Sequence, residues 1–304
     1  MQVKPWITSQ PSCSLLVTDC YEFNISGAKD EVVNLWRGFV IRHCSHLEVP
    51  ALLQEFSSLN VLKLYNSTIK SWEESATISQ KYHPDLNMLY LVRVTMVNGE
   101  LPVGLLGGDF PEMLRDIEFC YTNLRTLPDD FDLKWPKFAS IYFEACEFTE
   151  VPASLARLAP IDLSLASNPI SSIPAVGFLH IGSTLISELP QLVSDVSPSM
   201  VLRVDNTNIS FFWDWMDTVV ASIDSMLPPP ILATNSPYCS DLQKIYAGKK
   251  TRFSAPLREG QSLLLSNASV ENWPVLQAAV SCILWPSTWF PLDFEDGYSG
   301  IKTE

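Results

Sequence analysis

Between Phe39 and Trp213 one phrase recurs eight times: an apolar pair two residues apart, a short polar residue, a further apolar pair and often a proline. Its clearest copies are Ile117 to Pro128 (IEFCYTNLRTLP), Ile141 to Pro152 (IYFEACEFTEVP) and Leu163 to Pro174 (LSLASNPISSIP). Aligned on the first apolar residue, the copies begin at Phe39, Leu62, Leu89, Ile117, Ile141, Leu163, Leu179 and Leu202, at intervals of 23, 27, 28, 24, 22, 16 and 23 residues. A unit this short cannot close a core alone, so each copy must be covered by the next and the chain is constrained to stack. The third positions (Ile41, Leu64, Leu91, Phe119, Phe143, Leu165, Ile181 and Val204) alternate with polar neighbours, which predicts a short strand buried on one face in every copy. Stacked in order, such strands make a parallel sheet.

The sixth position reads Cys44, Ser67, Val94, Thr122, Cys146, Asn168, Thr184 and Thr207. Turning the chain out of the strand leaves backbone polar groups inside the stack, and a short side chain with hydrogen-bonding capacity satisfies them. Val94 lacks that capacity and lies in the longest copies, so an irregular turn is expected near residues 94–102. Position eight (His46, Ile69, Met96, Leu124, Phe148, Ile170, Ile186, Ile209) and position eleven (Val49, Trp72, Leu127, Val151, Ile173, Leu189, Phe212) complete the expected core. Pro50, Pro102, Pro128, Pro152, Pro174 and Pro190 follow, and their fixed φ and missing N–H oppose further sheet there. Loops and single helical turns are expected instead, with clearer helix near residues 51–57.

This pattern resembles the leucine-rich-repeat superfamily over about 175 residues. The resemblance implies an α/β solenoid with a parallel concave sheet, a convex side of loops and short helices, and a helical C-terminal cap. The corresponding division is an N-terminal cap at 1–38, an array of about eight repeats at 39–213, and a helical cap and tail at 214–304.

Past Phe212 the period becomes helical. Trp213, Met216, Val219, Val220, Ile223 and Met226 predict a helix of about four turns, stopped by Leu227-Pro228-Pro229-Pro230. Ser240 is the expected cap of a short helix ending before Gly248, and Ser269 of another carrying Val275, Leu276, Ala279, Val280 and Cys282. Three of the seven cysteines (Cys44, Cys120, Cys146) fall within repeats and four in the flanks. Cys13, Cys20, Cys239 and Cys282 are disulfide candidates, with buried thiols as the alternative. With the sequons at Asn24, Asn66, Asn208 and Asn267 they favour an extracytoplasmic or membrane-associated setting over the cytoplasm.

Phe212-Trp213-Asp214-Trp215, Ser236-Pro237-Tyr238-Cys239 with Leu242, and Cys282 followed by Phe290-Pro291-Leu292-Asp293 and Glu295-Asp296 resemble a narrower group. These are the oomycete leucine-rich-repeat proteins, many with membrane segments ahead of the repeats. That resemblance implies a truncated or membrane-free member, and no catalytic residue comes with it.

Twenty Lys+Arg against 34 Asp+Glu give a net charge of −14, which argues against a phosphate backbone as ligand and so against nucleic acid. No run of about 18 apolar residues occurs, and the opening MQVKPWITSQPSCSLL lacks the apolar stretch of a signal peptide. Phosphate-loop, dinucleotide, zinc-protease and nucleophile-elbow motifs are absent, so neither a catalytic set nor a cofactor is expected. His43-Cys44-Ser45-His46 has the residue types of a metal site, but the repeat register sends His43 outward and Cys44 and His46 inward. Asp293, Glu295 and Asp296 lack the spacing of a calcium loop, and no metal is expected.

What remains is the concave face, reached by positions two, four and five. Tyr65, Tyr90, Tyr121 and Tyr142 form the expected aromatic stripe, with Arg42, Lys63 and Arg93 on one side and Glu118 and Glu144 on the other. Aromatic residues beside charges resemble protein-binding hot spots. Small residues follow in the next copies, which predicts either an open groove or unused surface. The sequence thus points to a non-catalytic module for a protein or peptide partner, the alternatives being an enzyme on a repeat scaffold or a structural remnant without a ligand.

Overall fold

The computed structural model describes residues 15–19, 37–158, 160–173, 179–193, 196–198, 200–223, 228–284, 286 and 288–298. It is an α/β fold with a parallel sheet, consistent with a solenoid-like arrangement, in two compact units. The first unit comprises residues up to Tyr142 with Pro152–Ile161; the second comprises Phe143–Val151 and the chain from Asp162.

In the first unit, strands β1 (Leu15–Asp19), β2 (Gly38–Arg42), β4 (Val61–Ser71), β5 (Met88–Thr95), β6 (Asp116–Cys120) and β7 (Ser140–Glu144) follow one another, and the two-residue β3 (Leu47–Glu48) pairs with β4. Phe39 pairs with Leu62, Leu62 with Leu89 and Leu89 with Ile117, so register in the sheet equals alignment in the repeat. Pairing also reaches ahead of the array, where β1 joins β2. In the second unit β8 (Asp162–Ser164), β9 (Leu179–His180), β10 (Leu202–Arg203), β11 (Ile231–Leu232) and β12 (Val280–Ser281) pair in order after the end of β7. The last two were not expected. Ile231-Leu232-Ala233-Thr234-Asn235-Ser236 fills the first six places of the phrase and acts as a ninth copy in register with β10.

Positions one and three point into the core. Every third-position residue is buried, as is every first-position residue whose side chain is described. At position eight His46 is a correction: it is exposed against Ser45, and Leu47 takes the core place opposite Ile69. Here β3 is offset by one residue, and a one-residue slip exchanges the faces of a strand.

The sixth-position ladder works as the backbone argument requires. Ser67 Oγ accepts from the Cys44 amide at 3.1 Å, Asn168 Nδ2 donates to the Phe143 carbonyl at 2.7 Å, and Thr184 and Thr207 hydroxyls donate to Ile181 and Val204 carbonyls. Where Val94 contributes nothing, Asn123 of the next copy both accepts from the Met96 amide and donates to its carbonyl, each at 2.8 Å. The irregular turn expected there is present, with Asn98 and Gly99 both at positive φ. Pro50, Pro102 and Pro152 precede helical turns at Ala51–Glu55, Val103–Leu105 and α2 (Ala153–Leu158), while α1 (Phe131–Lys134) follows Pro128. Gly104 is dictated by packing, since a Cβ there would lie 2.0 Å from the Trp72 ring.

The C-terminal part departs from its prediction in detail. Of the four-turn helix only α3 (Met216–Ala221) is seen, residues 224–227 lying outside the described set. The next helix, α4 (Pro237–Tyr246), is capped by Ser236, not Ser240: its Oγ accepts from the Cys239 amide and Pro237 occupies the first turn. Short α5 (Leu263–Ser266) and α6 (Trp273–Ala279) follow, with Ser269 preceding a single turn at Val270–Asn272. Val280 is strand rather than helix. The last element is α7 (Leu292–Tyr298).

Candidate functional site

All eight fifth-position residues (His43, Asn66, Arg93, Tyr121, Ala145, Ser167, Ser183 and Asn206), with Asn235 of the ninth copy, have φ between 44° and 60°. Each such amide that can be followed still bonds the neighbouring strand, for instance Ser183 to the Asp205 carbonyl at 2.7 Å and Asn206 to the Thr234 carbonyl at 2.8 Å. The chain therefore turns while keeping its last ladder bond, and left-handed backbone is what permits both. As a result, position-five side chains leave the pleat and form a row along the strand ends. Asn66 Nδ2 donates to His43 Nδ1 at 2.9 Å, and Asn235 to Asn206 Oδ1 at 2.9 Å.

This redistributes the expected stripe. Tyr121 and Arg93 belong to the strand-end row, where the guanidinium lies 5.9 Å from the ring centre. Tyr65 is a fourth-position residue paired with Arg42 and Val92, and it is completely buried. Lys63, Tyr90 and Glu118 share the second-position row, and Tyr142 holds the same place in β7. These four are half-buried, as are Arg42, Arg93 and Tyr121. Tyr90 donates its hydroxyl to Asp116 at 2.6 Å; burial, then that bond, pushes its pKa far above the usual value. The tyrosines therefore occupy three rows, and Tyr90 and Tyr142 alone share one.

The ninth expected site residue, Glu144, is in the second unit and is also completely buried, because the chain's own C-terminal segment lies over it. Leaving β12, that segment runs back across the face formed by positions two and four, here termed the even face. The Thr234 hydroxyl donates to the Ile283 carbonyl, and Arg203 Nη2 donates to the Pro286 carbonyl. Further along, the amides of Trp289 and Phe290 both donate to the Glu144 carboxylate, each at 3.0 Å. The Trp289 ring lies 4.8 Å from the Arg203 guanidinium and packs edge-on to His180. We call the described residues of this stretch, 283, 284, 286 and 288–290, the strap. The stretch of small residues is covered, Ser164 and Ala166 being completely buried, and a Cβ on Gly182 would meet the Asp205 carboxylate at 2.9 Å.

Beneath the strap the sheet brings together a group that motif reading did not find. Ser164 donates to Glu144, and His180 Nδ1 lies 2.9 Å from Ser164 Oγ and 3.5 Å from Glu144 Oε1. Their signal was register alone: places two and four of successive copies become neighbours. Burial raises the Glu144 pKa, but the bonds from His180, Ser164 and the two strap amides outweigh it and hold the carboxyl below its ordinary value. Burial lowers the His180 pKa, overcoming the opposing bond to Glu144, so the imidazole is neutral near pH 7 and the pair is a hydrogen bond rather than an ion pair. Since Ser164 gives its one hydrogen to Glu144, Nδ1–H of His180 donates to Ser164 and the bare lone pair falls on Nε2, which has no hydrogen-bond partner among the described residues. Asp205 completes the site by accepting from Arg203 Nε at 3.2 Å.

Cys239 and Cys282, on α4 and just past β12, are joined in a disulfide with Cα atoms 5.7 Å apart, at the base of the strap. Cys13 and Cys20 lie outside the described residues; Cys44 is disulfide-bonded, while Cys120 and Cys146 are buried. Among the described residues no helix is long and apolar enough to cross a membrane, and no cluster of metal-ligating side chains occurs.

No family model matches the chain, and no curated protein does. Among solved structures it is similar to a chain of the Drosophila Toll–Spätzle complex, described as a molecular hub in development and innate immunity. The identity is 13%, the TM-score 0.35, and the likeness covers 60% of this chain and 34% of that one, so this chain spans about a third of that length.

Proposed function

We propose that the chain is a non-catalytic protein-interaction module of the leucine-rich-repeat kind, capped at 1–38 and 214–304, which takes a protein or peptide partner on the even face. The observation that carries this reading is that the even face of the second unit holds a strand-free polypeptide segment, the strap, through its backbone amides and an aromatic side chain. In the first unit the same face presents Arg42, Lys63, Tyr90, Glu118 and Tyr142, with Arg93 and Tyr121 at its margin. Mixed charge around half-buried tyrosines suits a protein surface. The disulfide at Cys239 and the exposed asparagines Asn66, Asn208 and Asn267 fit an extracytoplasmic setting.

The enzyme alternative draws on Glu144, Ser164 and His180. In a nucleophilic triad the serine and the acid address opposite nitrogens of the imidazole. Here both lie at Nδ1, and all three side chains are at most 2% exposed, so neither proton relay nor substrate access is available. Binding is the better reading.

A photo-crosslinking residue placed singly at Lys63, Glu118 or Tyr142, with Leu133 on α1 as control, tests it in cells expressing the chain. Adducts to one protein at the first three positions and none at Leu133 are expected. Equal labelling at all four, or none at the even face, would count against a partner site there and favour a structural remnant.

A further inference from the structure

We propose that the even face of Glu144 and β8 to β10 is a binding site for a peptide bearing a Trp-Phe pair followed by proline, and that the strap is its resident occupant. This deepens the interaction reading above and rests on it, but concerns residues that the crosslinking positions do not touch.

The contacts are those of a ligand more than of a core. Glu144 takes two consecutive backbone amides, which the bend at 288–290 turns to one side, and Arg203 donates to a backbone carbonyl, groups that any peptide with such a bend offers. Selectivity comes from the aromatic pair: Trp289 lies between Arg203 and His180, and Phe290 is buried beside it. Only part of the strap is sunk. Trp289 is 48% exposed, and beyond it Phe294 and Tyr298 are 84% and 90% exposed, so the occupant can leave without dismantling an apolar core of its own. The Cys239–Cys282 disulfide fixes the strap at its base, which keeps a released strap near the site and makes it an intramolecular competitor. Finally, Nε2 of His180 is buried without a donor among the described residues. A peptide arriving from another molecule, with an N–H or O–H aimed at that nitrogen, makes one bond more than the strap does.

The test uses the full chain and a labelled synthetic peptide of residues 283–298, with a scrambled peptide as control. Trp289→Ala weakens the resident competitor, so the peptide should bind this variant at least ten-fold more tightly than it binds the unaltered chain. Adding Glu144→Gln should abolish the gain, with thermal unfolding confirming that each variant folds. Absence of binding to folded Trp289→Ala, or binding indifferent to Glu144→Gln, overturns the proposal. Hydrogen exchange on the unaltered chain gives a second reading that needs no variant. The Trp289 and Phe290 amides should exchange at least a hundred-fold faster than the Val204 and Ile181 amides beneath them. Equal rates would make the strap a permanent part of the fold and end the proposal. Failure in these measurements with crosslinks retained at Lys63 or Glu118 removes this site alone and leaves the broader reading standing.

Discussion

The residue that repeats most faithfully in conformation is the one the sequence marks least. Nine successive fifth-position residues are left-handed, yet they include histidine, arginine, tyrosine, alanine and serine as well as asparagine. For an ordinary L-residue that conformation costs roughly 1–2 kcal/mol, and the sheet tolerates it because amides such as those of His43, Ala145, Ser167, Ser183 and Asn206 keep a ladder bond. Ala145 has no side-chain bond in compensation, so Ala145→Gly should raise stability by up to about 1 kcal/mol and Ala145→Val should lower it by about 1–2 kcal/mol, measured by urea unfolding. Glu144 and His180 make a second residue-scale prediction, in pH. His180 is held below its ordinary 6.5 in the fold, so its contribution is complete above that value and is lost as pH falls through it. Glu144 is held below 4.5, so its contribution is present above that value and is lost on further acidification. Both signs agree: the urea midpoint should fall steadily from pH 7.5 to 4, with Arg203 and Asp205 the other charged groups at the site. Buried His83, whose pKa is also lowered by burial, adds a term of the same sign. The diagnostic is therefore a difference, His180→Gln losing part of the slope between pH 6.5 and 4.5; an unchanged slope would mean that His180 does not titrate on unfolding.

At the level of elements, the caps give a clean comparison. Ser236 and Ser240 both precede helical sequence, but Ser236 bonds the Cys239 amide while Ser240 lies exposed within α4. Ser236→Ala should cost about 1 kcal/mol, and Ser240→Ala close to nothing, in parallel thermal melts. Their pairing also shows which signals were legible. Apolar alternation located β2 and the strands from β4 to β10 because burial on one face selects residue type directly. The sixth-position ladder was legible for the same reason, the need being local and chemical. Ser236-Pro237 was legible too, since proline in the first turn marks a helix start, but helical spacing drew attention to the later serine. What could not be read was geometry set by neighbours. The left-handed fifth position removed Tyr121 and Arg93 from the face assigned to them, and β11 and β12 hide in segments whose spacing also suits helix. The strap was least accessible of all: nothing in Pro286 to Phe290 states that its amides reach a carboxylate some 146 residues earlier in the chain.

Taken as a whole, a stack of repeats has no single centre, and its stability is the sum of units and the interfaces between successive ones. Damage should therefore stay local. In the second unit the Cys239–Cys282 link closes a loop of 43 residues, which on chain entropy alone stabilises by about 4 kcal/mol. It joins α4 to the segment from which the strap departs, and α4 in turn carries Tyr238, whose hydroxyl bonds the Leu265 carbonyl at 2.7 Å and whose ring packs on Phe212 and Phe253. Replacing both cysteines by serine should thus release α4, β11, β12 and the strap from protection while β4 and β5, which end at Thr95, 136 residues before Ile231, keep theirs. Hydrogen exchange resolved by peptide reads this directly. Loss confined to residues past about Ile231 is expected. A uniform fall in protection, reaching Leu62 to Leu91 as much as Ile231 to Ser281, would show that the two units unfold as one cooperative body and that the nearest-neighbour account of their stability fails.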